Sequence, residues 1–161
     1  MAHPIQIRRV GHVVLKVRSL QRSVPFYRDV LGLCEVARLR GQMVFFSATG
    51  ENHHDLAIME VGADAPAAER AAVGLYHVAL KVGDDLDQLR AAKAHLEAHG
   101  IKMSVADHKV SQSIYLNDPD GNGIELYRDR PQEDWPMAPD GKGVAMVSIP
   151  LDLEALLAEA R

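Results

Sequence analysis

The chain says the same thing twice. Residues 10–17 read V-G-H-V-V-L-K-V and residues 75–82 read L-Y-H-V-A-L-K-V, so His12 and His77 hold the same place in two apolar, β-branched runs 65 residues apart. A repeat constrains the fold more than any composition can: it predicts two copies of one supersecondary unit. Strand alternation puts His12 on a face with Val10 and Val14, and Val13, Leu15 and Val17 on the other. His77 likewise opposes Val78, Leu80 and Val82. A pseudo-twofold arrangement of the copies would bring the two imidazoles face to face, which is the beginning of a metal site.

The rest of each copy follows one order. In the first, a strand over 7–17 leads to Ser19 as a helix N-cap. Leu20, Val24, Tyr27 and Leu31 then recur at helical spacing until Gly32. Pro25 fits that helix only near its first turn. Strands are expected at 34–40, 42–48 and 54–60. In the second copy, a strand over 74–82 leads to Asp84 or Asp85 as the cap, and a helix carries Leu86, Leu89, Ala92 and Leu96 on one face. Gly100 stands where a C′ glycine belongs. Strands at 101–106, 112–117 and 123–128 close the unit, with N-D-P-D-G-N-G a strong hairpin turn between the last two.

The pattern is β-α-β-β-β, twice, in an α+β chain. Module one covers 7–60, a small-residue linker 61–73, and module two 74–130, within one domain over 1–161. A proline-spaced arm follows from 131, and a short terminal helix carries Leu153, Leu156 and Leu157.

Bulk properties exclude several classes. At 161 residues, 47% apolar and 25% charged, the chain can bury an ordinary core. No apolar stretch approaches the roughly 20 residues that span a bilayer, and the first ten residues contain no secretory h-region. A net charge of −4 with no basic run argues against nucleic acid. Cys34 is the one cysteine, so no intrachain disulfide forms, and a reducing cytoplasm is the expected compartment.

Eight histidines stand out. With His12 and His77 the candidates are Glu125, in G-I-E-L-Y, and the pair His53–His54. A mid-strand carboxylate is costly to desolvate unless it is paired or metal-bound. Two His plus one carboxylate is the facial-triad ligand set of non-haem Fe(II) sites, which leaves positions open for substrate and O₂. The plainer readings are a hydrogen-bonded core histidine for each imidazole and a solvent-facing Glu125 on a half-buried sheet. His95 and His99 are placed to complement a helix dipole, and His3 belongs to the terminus.

The two H-V-x-L-K-V strands, F-Y-R-D-V-L-G-L over 26–33 and Y-L-N-D-P-D-G-N-G-I-E-L-Y over 115–127 resemble the vicinal-oxygen-chelate superfamily across residues 7–130. That group holds glyoxalase I, bleomycin-resistance proteins, methylmalonyl-CoA epimerase and the extradiol catechol dioxygenases. The resemblance implies tandem βαβββ modules forming a curved eight-stranded mixed sheet around a metal. It assigns the metal ligands to His12, His77 and Glu125.

Glyoxalase I and the epimerase take a fourth ligand, Glu or Gln, from the last strand of module one. Here that strand reads H-H-D-L-A-I-M-E, with no Glu or Gln before Glu60. H-D-L-A instead resembles the extradiol enzymes, in which the residue matching His54 is an acid–base group. Tyr115 matches their tyrosine before the D-P-x-G-N turn, and His108 is the candidate for their further active-site histidine.

The resemblance therefore implies an Fe(II)-dependent extradiol dioxygenase, with Mn, Zn, Ni or Co as other metals. It would act on a small aromatic diol and O₂, working as a homodimer. Phe45, Phe46, Val14 and Ala79 are expected to line the ring pocket. Two alternatives stand beside it. One is a glyoxalase-type lyase or epimerase with His54 as a fourth ligand; the other is a metal-free protein that binds an aromatic drug.

Overall fold

The structure, a computed structural model, describes residues 4–67, 69 and 71–152. The chain forms two compact units, residues 1–70 and 71–161, each an α+β module with its own mixed sheet. The terminal helix expected over Leu153–Leu157, and His3, lie outside the described residues.

In the first unit, strands β1 (Val13–Val17), β2 (Cys34–Leu39), β3 (Met43–Ser47) and β4 (Leu56–Glu60) form a sheet in the order β1-β4-β3-β2, with β1 and β4 parallel. Helix α1 (Leu20–Pro25) follows β1 and continues into a π-helical turn over Phe26–Val30. Leu15, Val17, Leu20, Val24, Tyr27, Val44, Phe46, Leu56 and Ile58 make the core, so three of the four residues of the expected helical stripe are buried and the fourth, Leu31, is half-buried.

Three expectations change in detail. Strand one begins at Val13, not residue 7, because its parallel partner supplies register only from Leu56 onward. Residues Ile5, Ile7 and Val10 are exposed. Ser19 makes no side-chain cap; Glu60 does that work, its Oε2 accepting the Leu20 amide at 2.7 Å. Pro25 sits at the last residue of α1, not the first turn. Beyond it the chain widens to π spacing, with the Leu31 N–H donating to Phe26 at 2.9 Å.

The second unit holds β5 (Val78–Gly83), α2 (Leu86–Ala98), β6 (Met103–Asp107), β7 (Ser111–Asn117), β8 (Gly123–Asp129) and β9 (Ile149–Pro150), with sheet order β5-β8-β7-β6-β9. The first strand again starts late, at Val78. As a result His12 and His77 each precede their strand by one residue instead of lying inside it. Strand β9 was not anticipated: the arm returns to pair with β6, Asp107 opposite Ile149. Leu89 and Leu96 of α2 pack with Ile114, Leu116, Ile124 and Leu126 in the core.

Helix α2 starts at a capping box. Asp85 accepts the Gln88 amide at 2.8 Å, and Gln88 Oε1 accepts the Asp85 amide at 3.2 Å and the Asp84 amide at 2.8 Å. At the other end His99 Nδ1 donates to the His95 carbonyl at 2.8 Å, and Gly100 takes the left-handed conformation (φ 67°). Asp85→Ala should therefore cost about 1 kcal/mol of stability, read as a shift in denaturation midpoint.

Candidate active site

The two units share a register as well as an order. In β5 and β8, Ala79 lies opposite Glu125; in β1 and β4, Val14 lies opposite Ala57. His77 and His12 each stand two residues before those positions. Ala57 is thus the counterpart of Glu125. The next strand repeats the correspondence: Tyr115 pairs with Glu125, and Phe45 pairs with Ala57. Module two holds a carboxylate and a phenol where module one holds a methyl and a phenyl.

Glu125 is the centre of the second unit's polar row. It is 8% exposed in the middle of the sheet, with no lysine or arginine among its bonded partners. Its Oε1 accepts the Tyr115 hydroxyl at 3.0 Å, and its Oε2 lies 2.8 Å from His77 Nε2. The Tyr115 hydroxyl also lies 2.7 Å from His108 Nε2. His108 Nδ1 is 2.6 Å from the Val147 carbonyl in the arm. A carbonyl only accepts, so Nδ1 carries the hydrogen. A neutral ring then offers Nε2 as an acceptor, and the one Tyr115 proton is shared between His108 and Glu125. Burial first, and then Glu125, pushes the Tyr115 phenol up to about 12, so it is a hydrogen-bond donor at neutral pH.

The donor set suits a small divalent cation. Two ligands on adjacent corners of one ion, each about 2.1 Å from it, stand roughly 3 Å apart, and His77 Nε2 and Glu125 Oε2 meet that spacing. His77 Nδ1 is buried and makes no hydrogen bond, so protein contacts alone leave this ring half satisfied. Imidazole nitrogen with carboxylate oxygen is a first-row transition-metal combination. No group of three or more His, Cys, Asp or Glu side chains arranged as a metal site occurs among the described residues.

In the first unit the His12 and His54 rings lie 4.3 Å apart, and Phe45 meets the His54 ring edge-on at 5.1 Å. His53 Nδ1 is 2.7 Å from His54 Nδ1. Desolvation, and then the neighbouring His12 and His53, hold the His54 imidazole below its ordinary range, which favours the neutral base at pH 7. Asp55 anchors the loop, accepting from the Ala48 amide, Ser47 Oγ and Asn52 Nδ2.

A cavity of about 490 Å³ opens on the second unit's row, lined by His77, His108, Tyr115 and Glu125, and by Ala79 as expected. Phe46 does not line a pocket; it is fully buried in the first core beside Tyr27. The arm shapes the cavity through Trp135, Val144 and Met146, residues that sequence reasoning did not single out. Sequence reasoning also missed Gly123. A Cβ there would stand 2.3 Å from the Tyr76 carbonyl and 3.1 Å from His77 Cβ, so only glycine lets β8 approach the backbone that carries His77. The signal was available in G-N-G-I-E, where the second glycine is not needed by the turn.

Gly123→Ala should destabilise the protein by about 1–3 kcal/mol through this clash and weaken any metal held by His77. Gly74→Ala, whose added carbon meets nothing within 4 Å, should leave both unchanged. Chemical denaturation and metal titration of the two variants check it.

The sequence profile of the Glyoxalase/Bleomycin resistance protein/Dioxygenase superfamily matches residues 9–126. A catechol-2,3-dioxygenase of Bacillus subtilis (strain 168) is 40% identical over 152 residues, covering 94% of this chain and 52% of that protein. Biphenyl-2,3-diol 1,2-dioxygenase 3 of Rhodococcus globerulus is 35% identical over 126 residues, covering 75% of this chain and 63% of that protein. The chain thus spans about half to under two thirds of these relatives. The crystal structure of a glyoxalase/dioxygenase from Nostoc punctiforme superposes with a TM-score of 0.68 at 21% identity, over 81% of this chain and 97% of the other, which speaks for the fold. With the profile matched from the lead-in of β1 to the middle of β8, the chain belongs to the glyoxalase/bleomycin resistance protein/dioxygenase superfamily.

Proposed function

We propose that the chain is a metal-dependent extradiol dioxygenase that opens the ring of a catechol-type diol with O₂. In this reading His12, His77 and Glu125 hold the metal, Fe(II) in the first instance. His54, Tyr115 and His108 manage protons. The observation that carries it is the row His108–Tyr115–Glu125–His77, which sets a proton-bearing phenol and an imidazole beside the carboxylate at one cavity. A protein that only sequesters a flat drug has no use for such a row of part-buried polar groups.

A ferrous ion, when bound, would supply the place where diol and O₂ meet and the electronic link between them. The remaining tasks fall to side chains. Neutral His54 can take up and return a proton. Tyr115, held in its protonated form, can donate to a substrate oxygen. The Val147 carbonyl keeps His108 Nε2 turned toward Tyr115, so a proton leaving that hydroxyl has a receiver. The apolar wall of Val110, Val144 and Met146 excludes water and accepts the ring.

The lyase or epimerase reading keeps one supporting observation, the 4.3 Å contact between the His12 and His54 rings, close enough for both to serve one ion. Against it stands Ala57 at the strand position where a fourth carboxylate or amide ligand would mirror Glu125. The exposed free thiol of Cys34 fits a reducing cytoplasm, and the exposed Ile5, Ile7, Val10, Val73, Leu75 and Tyr76 fit burial in a homodimer.

Protein loaded with Fe(II) under argon, then given catechol or 2,3-dihydroxybiphenyl in air, should turn yellow as the ring opens. His12→Ala, His77→Ala and Glu125→Ala should each lose the metal by elemental analysis. His54→Ala should retain it and lose turnover by 10²-fold or more, on the order expected for an acid–base group. Loss of the metal from His54→Ala would favour the lyase instead.

A further inference from the structure

The floor of the cavity is one face of the second sheet, and it has two polar ends. Along β8, Glu125, Tyr127 and Asp129 line it at a spacing of two. Four residues of strand put Asp129 about 13 Å from Glu125. Across the ladder Ser111 lies opposite Asp129 as Tyr115 lies opposite Glu125. Tyr127 lies between the ends on β8, and Trp135, Val144 and Met146 add aromatic and aliphatic lining.

Asp129 shares its one ion-pair partner. Lys81 Nζ lies 3.1 Å from Asp129 and 2.6 Å from Asp84, so one ammonium serves two carboxylates. Arg128 and Arg130, on either side of Asp129 in sequence, are engaged elsewhere. Arg128 binds the Gln112 side chain and the Asp84 carbonyl, and Arg130 pairs with Asp107. Among the described residues neither lysine nor arginine lines the cavity, whereas Asp129 and Ser111 do.

We infer that Asp129 is a specificity determinant, selecting aromatic diols whose ring carries a short side chain ending in an ammonium over those ending in a carboxylate. The inference rests on the dioxygenase reading for its diol. It adds what lies at the other end of the substrate. With the diol at His77 and Glu125, a ring-borne chain runs along Tyr127 toward Asp129, where a cation is attracted and an anion repelled.

Trp135 is the only tryptophan and lines the cavity, so its fluorescence reports binding without turnover. Under argon, with the protein as purified, dopamine should bind about fivefold more tightly than dihydrocaffeate, the scale of a partly exposed charge pair. The ratio should shrink as salt is raised. Asp129→Asn, which keeps the side chain's shape, should bring it to about one and leave ethylcatechol binding unchanged. Equal or tighter binding of dihydrocaffeate, a ratio that survives Asp129→Asn, or no response to either ligand overturns the inference. Ring cleavage in air is read separately. Selective binding with no cleavage of any diol would sink the dioxygenase reading and not the role of Asp129; cleavage without selectivity would do the reverse.

Discussion

A carboxylate in the middle of a sheet, with no lysine or arginine bonded to it, is the constraint around which the second module is arranged. Burying Glu125 as an ion costs several kcal/mol unless its lone pairs are met. Tyr115 meets one oxygen and His77 the other. Those partners in turn depend on the strand pairing that sets Tyr115 opposite Glu125, and on a glycine at 123 that lets the His77 backbone come close. Hydrophobic burial alone would have put a valine at 125, as it put Ile124 and Leu126 on the other face. The carboxyl side chain at this point of the strand is what the proposed chemistry would use.

Duplication supplied the frame, and divergence between the copies supplied the site. The pairings Val14–Ala57 and Ala79–Glu125 occupy the same rung of two homologous ladders, as do Phe45–Ala57 and Tyr115–Glu125. Module two carries the carboxylate and the proton-bearing phenol. Module one carries the imidazole group of His12, His53 and His54 beside a phenyl ring. This division explains why the proposed ligand set has three protein members: the fourth position in the strand logic is filled by a methyl group. The arm beyond β8 then tailors the second module's cavity. It folds back as β9 on β6, holds His108 through the Val147 carbonyl and contributes Trp135 to the wall.

Much of this was legible in the sequence because it was written in periodicity. The repeated H-V-x-L-K-V runs gave the duplicate β-α-β-β-β order, and leucines at helical spacing gave α2 nearly to its ends. Strand starts were read too early in both modules, since Ile7, Val10 and Tyr76 carry strand propensity but pair with no neighbouring strand. Ser19 stands at the N-cap position of α1 as expected, but the capping carboxylate is that of Glu60, which is 40 residues away and has no local signal to announce it. Strand β9 was hidden for the same reason: Ile149–Pro150 gains its conformation from β6, not from its own sequence. Of the site, His77, Tyr115, His108 and Glu125 were named from residue type and motif, and they lie together in one unit. Asp129 was readable in principle, two and four residues along from Tyr127 and Glu125 on one face, yet only the cavity gives that spacing a meaning.

The claim that matters most is that the metal is held by two imidazoles and one carboxylate and by no further side chain. X-ray absorption at the metal edge of the loaded protein counts these ligands directly. The account predicts a first shell of light atoms with the multiple-scattering signature of two imidazoles. Three imidazoles would make His54 a ligand and contradict it, as would a shell with none.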